Sequence, residues 1–489
     1  MRIANFINHL IDKKMRKQII AFTFTYFILA TAGLSAQGVW SLERCIDHAL
    51  ENNLDVRSQR LFQEYADHDV RQSFMNVLPG IDAGTRLGFN YGRSIDEVTY
   101  KFSTERVGSQ QASAQANLTL FAGFRTINTI RYNLARQTAF RHDTETLEND
   151  LILTIANAYL QILYFEDMLD VAAQQVDLHR QQVERTRILL EGGTVSRRDL
   201  LEMEAVAAEQ EVVHTSIENQ LNLSYLELIH LLELDPDGDF RVERPDFDVE
   251  DTRFFYEPDV VLERAMRIEP SLSAAKNRIV MAEHSLAIAN GERFPTLSLQ
   301  TSIGTRYSEI FTRPVNGNNN QANTAALHNQ YAGMVPGPKN NAMPAEETIP
   351  YRDQLTENYA RSAFVTLSIP IFNHYRTRTR IQHARIDLDR AEIAYEGAKN
   401  NLSRIIHQAH ADALAAYKEY NSHGKALEAS RESFNYAREG YGLGRVSTIE
   451  LNEAQARLNR AEVNLLQSMY EFVFKVKILE FYQGEGFVL

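Results

Sequence analysis

Two pairs of acidic residues follow glycine-containing turns and are the first candidates for chemistry in this chain. The pairs are Glu450 with Glu453 and Asp199 with Glu202. They follow turns at residues 442–447 and 192–196, and residues three apart lie on one face of a helix. Each pair could attract a cation, or it could be a solvated first-turn pair that stabilises the start of its own helix.

The sequence carries no recognised catalytic or metal-binding motif. It contains no G-x-S-x-G elbow, Walker loop, H-E-x-x-H motif or C-x-x-C pair. His407 and His410 are three apart and could share a metal ion, but they have no acidic or cysteine partner on that face, which favours two surface histidines. We therefore expect no enzyme activity, no metal site and no cofactor.

The N-terminal region has the features of a secretory signal peptide. A basic cluster at 13–17 precedes an apolar run at 19–30 and small residues that end at Ala36. A short buried helix is the alternative interpretation. Gln37 follows the predicted cleavage site, so we expect no lipid-anchored cysteine there, and Met15 is an alternative start.

The composition suits a folded, exported chain without disulfides. Cys45 is the single cysteine, and we expect it to pack as a small hydrophobic residue. The formal charge of the 489 residues is −13, and removing residues 1–36, which carry five Lys/Arg and one Asp, changes it to −17. Such an acidic chain binds nucleic acid poorly, so we expect no nucleic-acid partner.

Long stretches of the chain have the apolar spacing of coiled coils. The 12 prolines leave residues 80–235 and 371–489 without any, and proline breaks helix interiors. Apolar residues recur at steps of three and four on two legs, which are Ile381, Ala384, Leu388, Ala391, Tyr395, Ala398, Leu402, Ile405 and Ala409, then Leu451, Ala454, Leu458, Ala461 and Leu465. A helix from Arg376 to Gly440 would be about 100 Å long.

Four segments instead alternate apolar and polar residues with the period of a β-strand. They are Ile81–Tyr91, Ala112–Leu120, Leu297–Tyr307 and Ala363–Ile369. Strands of about 9–11 residues with one apolar face match the length that crosses a bilayer at a tilt, although soluble antiparallel sheets alternate too. One chain cannot close such a barrel, because about eight strands is the minimum and open edges are costly in lipid. The pattern therefore predicts an oligomer whose chains contribute four strands each.

The same order of helices and strands occurs twice along the chain. Matching residues stand 216 or 251 apart: Ala49 with Ala265, Pro79 with Pro295, Phe121 with Phe372, Gly193 with Gly444, Val195 with Val446, Ser196 with Ser447 and Leu200 with Leu451. The offset increases by 35 between the second pair of strands, where residues 310–350 have loop composition and no period. The predicted divisions are a signal peptide at 1–36, a first repeat at 37–234, a linker at 235–257 and a second repeat at 258–489.

This duplicated order, with Leu120-Phe121-Ala122-Gly123 and Ile371-Phe372-Asn373 at the strand-to-helix corners, resembles that of TolC-type outer-membrane efflux proteins, the outer membrane factor family. The resemblance covers essentially all of the chain after the signal peptide. It implies a mainly α fold in a homotrimer, with a twelve-strand β-barrel in outer-membrane lipid continued by an α-helical barrel in the periplasm. It also implies an exit duct for efflux or type I secretion, with a periplasmic membrane-fusion adaptor and an inner-membrane pump of RND, ABC or MFS type as partners.

The resemblance places the two turns at the periplasmic tips, where the adaptor docks and the channel narrows. The tip residues are Gly192, Gly193, Val195, Ser196, Gly442, Gly444, Arg445, Val446 and Ser447. Glu450 and Glu453 resemble the family's acidic entrance pair, although the family usually has aspartates there, and Tyr441 resembles its gating tyrosine. Asp199 and Glu202 occupy the equivalent first-half positions. Three copies of such a pair around an aperture would favour cations and raise each other's pKa through like-charge repulsion.

A periplasmic structural or adaptor coiled coil that never enters a membrane is the alternative function. Adaptors pair one hairpin with compact β-domains and do not repeat a strand pair. An exposed apolar band would be an aggregation hazard on such a soluble protein, and its members here would be Leu87, Phe89, Tyr91, Leu297, Leu299 and Ile303. The sequence does not indicate the exported substrate, the pump class or whether the resting pore is closed.

Overall fold

The computed structural model describes residues 39–95, 102–103, 106–236, 238, 240–245, 257–314, 346–443 and 445–487. The predicted signal peptide, much of the predicted linker, most of the 310–350 segment and Gly444 lie outside these residues. The helices are α1 Leu42–Asn52, α2 Leu54–Met75, α3 Arg125–Glu191, α4 Arg197–Leu231, α5 Pro258–Ile268, α6 Pro270–Gly291, α7 Tyr351–Glu357, α8 Arg376–Gly442 and α9 Thr448–Gln483. The strands are β1 Gly80–Asn90, β2 Ser94–Ile95, β3 Phe102–Ser103, β4 Val107–Ala122, β5 Thr296–Ser308, β6 Thr312–Pro314, β7 Glu346–Thr348 and β8 Ala360–Ser368.

The proline-free stretches form two very long helices, as their composition and apolar spacing predict. α3 and α8 have 67 residues each, which corresponds to about 100 Å. The predicted seam turns inward, and its buried members are Ile381, Ala384, Leu402, Ala409, Leu451, Ala454, Leu458 and Ala461. The prediction of a mainly helical chain is therefore confirmed. Among the described helices, none has a stretch long and apolar enough to span a bilayer.

The four predicted strands form one antiparallel sheet in the order β1-β4-β5-β8. Residues that face each other across antiparallel strands point to the same side of the sheet. One such row holds Ile81, Ala116, Thr301 and Ala363, and the next row, on the opposite side, holds Asp82, Gln115, Ser302 and Ser362. The register thus gives the sheet one mainly apolar face and one polar face, as the alternation predicts.

The chain passes from the sheet to the long helices through residues in the left-handed backbone conformation. The register shifts between Thr119 and Phe121 at the end of β4, and Gly123 and Phe124 follow with φ of 62° and 61°. The corner after β8 has the same conformation at two further positions, His374 and Tyr375, with φ of 56° and 62°. Only glycine adopts this region without strain, so three of these four residues are held there by their surroundings.

The chain divides into two compact units, one of which comprises Met1–Gln63, Ala139–Ala275 and Ala394–Leu489. A core cluster in this unit joins α1, α3, α4 and α9. The buried Tyr159 hydroxyl is hydrogen-bonded to the backbone oxygens of Trp40 (3.0 Å) and of Glu243. Cys45 has no solvent exposure, and burial raises its pKa to about 12, so its predicted role as a packed hydrophobic residue is confirmed.

The other unit comprises Glu64–Thr138 and Lys276–Ile393. It contains the four-stranded sheet and three short elements within or next to the predicted 310–350 loop. β6 pairs with β7 antiparallel, and α7 is fastened to β5 by the fully buried Gln354, whose side chain binds the Ser308 backbone N–H (2.9 Å) and carbonyl (3.0 Å). The prediction of a loop without regular structure was therefore wrong for its described ends, because three-residue strands and a seven-residue helix are too short to show a period.

Candidate functional site

The first predicted tip is a tight turn between α3 and α4. Three backbone N–H groups close it, those of Gly192 to Ile188 (3.0 Å), Gly193 to Leu190 (3.0 Å) and Thr194 to Leu189 (2.9 Å). Gly193 has φ of 74°, the left-handed conformation that glycine adopts at the end of a helix. Val195 is half-buried and Ser196 is exposed.

The second predicted tip, between α8 and α9, repeats part of this geometry. Gly442 is the last residue of α8, and the Arg445 N–H donates to the Gly440 carbonyl at 2.9 Å, the same five-residue step that joins Thr194 to Leu189. The half-buried Val446 packs against Gly440, because a Cβ at Gly440 would lie 2.6 Å from its Cγ2. Arg445 is exposed, and Gly444 lies outside the described residues.

Both helices that leave the turns begin with a capping box. The Ser447 N–H and hydroxyl donate to Glu450 Oε2 at 2.8 and 3.0 Å, and the Glu450 N–H donates to Ser447 Oγ at 3.2 Å. Ser196 and Asp199 make the same three bonds, at 2.8, 2.7 and 3.3 Å. In each box two groups satisfy each other at a helix end that would otherwise leave N–H groups without partners.

These hydrogen bonds lower the pKa of the first acid in each pair. The backbone N–H and the hydroxyl of Ser447 stabilise the Glu450 carboxylate and lower its pKa. The hydroxyl and backbone N–H of Ser196 lower the pKa of Asp199 in the same way. Within one chain, therefore, the pKa of each acid moves opposite to the rise expected when like charges surround an aperture.

The second acid of each pair is not part of the box. Glu453 is exposed, and its carboxylate lies 3.8 Å from the guanidinium of Arg457 one turn along α9. Glu202 is half-exposed on α4. The structure thus separates the roles within a pair, because the first carboxylate caps a helix while the second projects from its surface.

Tyr441 packs against the apolar cluster of its own hairpin. This cluster is formed by Phe434, Leu451, Ala454 and Leu458, with Leu427, Ala437 and Tyr441 packed against it. Tyr441 also lines a cavity of about 270 Å³ between the two hairpins. The other residues that line it include Leu178, Gln182, Arg185, Met203 and Arg438.

The sequence reasoning missed the polar groups that the two hairpins share near this cavity. Gln455 donates to Gln175 across α9 and α3 at 3.3 Å. His179 is 4 % exposed, its Nδ1 lacks a partner among the described residues, and burial lowers its pKa. The available signal was the spacing of Gln175 and His179, which continues the steps of three and four from Met168 and Ala172. No group of three or more potential metal-binding side chains occurs among the described residues.

Comparison with known proteins identifies the family. A family model described as "Outer membrane efflux protein" matches residues 45–232 and 261–476. The outer membrane protein TolC of Vibrio cholerae is 21% identical over 467 residues, which cover 92% of each protein.

Solved structures share the fold. A membrane protein of Pseudomonas aeruginosa superimposes with a TM-score of 0.72 at 18% identity, covering 93% of each chain. The outer membrane protein VceC of Vibrio cholerae gives 0.71 at 15% identity, covering 91% of this chain and 97% of its own. The family match decides against the alternative of a periplasmic coiled coil that never enters a membrane. The chain belongs to the outer membrane efflux protein family and is an outer-membrane exit channel of a tripartite efflux system, with a periplasmic extension.

Proposed function

We propose that three copies of this chain form the channel, each contributing four strands to a twelve-strand barrel in the outer membrane. The observation that carries the proposal is the sheet itself, in which β1 and β8 each pair with one neighbour only among the described strands. Unpaired backbone groups in lipid cost several kcal/mol each, so these edges must pair with other strands. Four strands are too few to close on themselves, and neighbouring copies supply the missing partners.

The proposed repeats are residues 37–234 and 258–489, joined by a linker at 235–257 and preceded by a signal peptide at 1–36. Equal helix lengths support the duplication: 11 residues for α1 and α5, 22 for α2 and α6, and 67 for α3 and α8. The two segments matched by the family model, 45–232 and 261–476, follow the same division. The α-helices of both repeats form the periplasmic barrel of this proposal.

The two turns are the proposed docking tips for a periplasmic membrane-fusion adaptor, which connects the channel to an inner-membrane pump of RND, ABC or MFS type. The tips offer exposed side chains such as Ser196, Arg445 and Ser447. The pump supplies the energy. The family is one of channels and not of enzymes, so we expect no catalytic role.

The acidic residues after the turns are the proposed channel entrance, with Tyr441 as the gating residue and Asp199 and Glu202 as the first-half counterparts. Of the second pair, Glu453 is the better candidate to meet passing ions, since its only described partner is Arg457 at 3.8 Å. Glu450 has its carboxylate held by Ser447. Three copies of Glu453 around one aperture would favour cations.

Single-channel currents test both the pore and its entrance. Detergent-purified protein is added to a planar bilayer beside a Glu450→Gln, Glu453→Gln double variant. The matched control, Glu419→Gln with Glu428→Gln, removes the same charge from exposed positions along α8. We expect current steps of uniform size with a cation preference that the entrance variant weakens and the control retains.

Other outcomes separate the parts of the proposal. Steps that the entrance variant leaves unchanged would keep the channel and reject the acidic entrance. If neither protein conducts, deletion of Gly442 to Arg445 should open the pore while trimers persist. Loss of trimers in that deletion would refute the assignment of the turn to the tip.

A further inference from the structure

The polar face of the sheet carries two arginines that the functions above do not use. Arg86 on β1 faces Gln111 on β4, and Gln111 faces Arg306 on β5. Two steps between neighbouring strands place the two arginine Cα atoms about 10 Å apart. Facing residues point to the same side of the sheet, so both guanidinium groups stand on the polar face.

Neither arginine has a carboxylate partner among the residues that the structure describes, and both are exposed. The closest acid in the register is Asp82, four residues before Arg86 on the same strand, which is about 13 Å away. Glu309, near the end of β5, is engaged elsewhere, because it accepts from the Gly108 N–H at 2.8 Å and lies 3.8 Å from Arg106. Within the part of the chain that the structure describes, no carboxylate therefore compensates the positive charge of this row of the polar face.

Arg306 lines a cavity that also contains neutral hydrogen-bonding groups. The cavity has a volume of about 430 Å³, and none of its lining residues is acidic. Polar lining residues include Gln111, Ser113, Ser302, Arg306, Asn358 and Ser362. In the neighbouring row of the same face, Ser113 on β4 lies between Gly84 on β1 and Gly304 on β5. Because glycine has no side chain, the two positions that flank Ser113 are open. A guanidinium with nearby hydroxyl and amide groups is the usual recognition set for carboxylate and phosphate oxygens.

We propose that Arg86 and Arg306 form a binding layer for the oxyanion groups of solutes, carboxylates and phosphates, near the end of the barrel opposite the strand-to-helix corners. The proposal rests on the trimeric barrel, in which the polar face lines the lumen and three copies bring six arginines into one section of it. Rings of arginine favour anions in pores. The channel would then have an anion-selective layer in its barrel, separate from the acidic residues after its turns.

Equilibrium binding tests the layer without requiring an open pore. Isothermal titration calorimetry measures the affinity of the detergent-purified protein for inorganic tripolyphosphate, a polyanion able to span two guanidinium groups, at low ionic strength. The test variant is Arg86→Gln with Arg306→Gln. The control, Arg313→Gln with Arg352→Gln, removes the same charge from β6 and α7, off the polar face of the sheet. We expect Kd to rise at least tenfold in the test variant and to change less than twofold in the control.

A test variant that binds tripolyphosphate as tightly as the parent protein, or a parent that binds none, would overturn the proposal. The single variants Arg86→Gln and Arg306→Gln guard against a folding defect, because each should lose part of the affinity while keeping the parent's circular dichroism. In a conducting bilayer, tripolyphosphate should block the parent and not the test variant. Binding that depends on both arginines, in a protein that does not conduct even after deletion of Gly442 to Arg445, would uphold the site and reject the channel assembly.

Discussion

At the scale of single residues, hydrogen bonding decides what an acidic side chain does after a turn. Glu450 and Glu453 are equivalent in the sequence as two acids on one helix face. The structure gives Glu450 three hydrogen bonds with Ser447 and leaves Glu453 exposed near Arg457. Spacing predicts which residues share a face, whereas the choice of partner depends on backbone angles at the N-cap, which spacing does not contain.

Replacing Ser447 by alanine should loosen the first turn of α9. An N-cap serine contributes about 1 kcal/mol, which corresponds to about a fivefold change in protection from exchange. Hydrogen exchange at the backbone N–H groups of Glu450 and Leu451, which donate to Ser447, is the measurement. Ser422→Ala is the control, since the Ser422 hydroxyl donates to the Lys418 carbonyl of its own helix, and it should leave protection unchanged.

The same turn should respond to pH in a defined direction. The pKa of Glu450 is lowered in the folded chain, so its contribution is present above the ordinary glutamate pKa and is lost as the pH falls through the lowered value. Protection of the backbone N–H groups of Ser447 and Glu450, corrected for the intrinsic exchange rate, should be constant down to about pH 5 and decrease below about pH 4. Protection that stays constant across this acid range would show that the carboxylate does not cap the helix.

At the scale of elements, the corners between strands and helices depend on close approach of the backbone. Gly123 follows β4 with a positive φ, and a Cβ there would clash with the backbone oxygen of Gly291 at the end of α6. The clash is reciprocal, because a Cβ on Gly291 would lie 2.6 Å from the Gly123 oxygen. These two glycines let a strand end and a helix end pass each other.

Gly123→Ala should destabilise the protein by more than about 2 kcal/mol, since a positive φ alone costs an alanine about 1–2 kcal/mol and the clash adds to it. Gly80→Ala is the matched control, because a Cβ at Gly80 meets nothing within 4 Å. Urea unfolding of the detergent-solubilised protein, followed by far-UV circular dichroism, measures both. Equal midpoints for the two variants would contradict the proposed contact.

The sequence patterns predict which strands and helices form, but they do not predict every boundary. The alternation predicts all four main strands, yet β4 begins at Val107, five residues before the predicted start at Ala112. Gly108, Ser109 and Gln110 break the alternation, and only pairing with β1 and β5 identifies them as strand. The proline-free stretches predict long helices and the glycine-containing turns predict where they end, whereas the left-handed His374 corner has no signal in residue type.

At the scale of the whole molecule, the two faces of the sheet should tolerate charge differently. Ile303 and Ser302 are adjacent on β5 and point to opposite faces. Ile303→Lys places a charge on the lipid face of the proposed barrel, where a lysine costs about 2–4 kcal/mol at the bilayer midplane and less towards its edges, whereas Ser302→Lys places it in the lumen. The amount of trimer in the outer-membrane fraction is the measurement. We expect a strong reduction for the first variant only, and equal amounts would argue against the assigned faces.

Contacts between distant segments are the features that a single sequence predicts least directly. Apolar alternation and helix length predict strands and rods because both are local properties of a chain. The cavity brings Gln182 and Met203 together with Arg438, and the sheet brings Arg86 and Arg306 to the two sides of Gln111. Arg438 lies more than 200 residues from Met203, and Arg306 more than 200 from Arg86. Their positions follow from packing and register, which no local period encodes.

The contacts that hold β6, β7 and α7 beside β5 affect how the segment between Pro314 and Glu346 can evolve. β6 and β7 pair at both ends of the segment between Pro314 and Glu346, the Ile349 N–H bonds the Phe311 carbonyl at 2.9 Å, and Gln354 secures α7 to β5. These contacts hold the two ends of the segment together, whatever residues lie between them. Mutation can therefore lengthen, shorten or diversify that segment while the strand register is preserved, which makes it a site where related lineages can acquire new surface identities without rebuilding the channel.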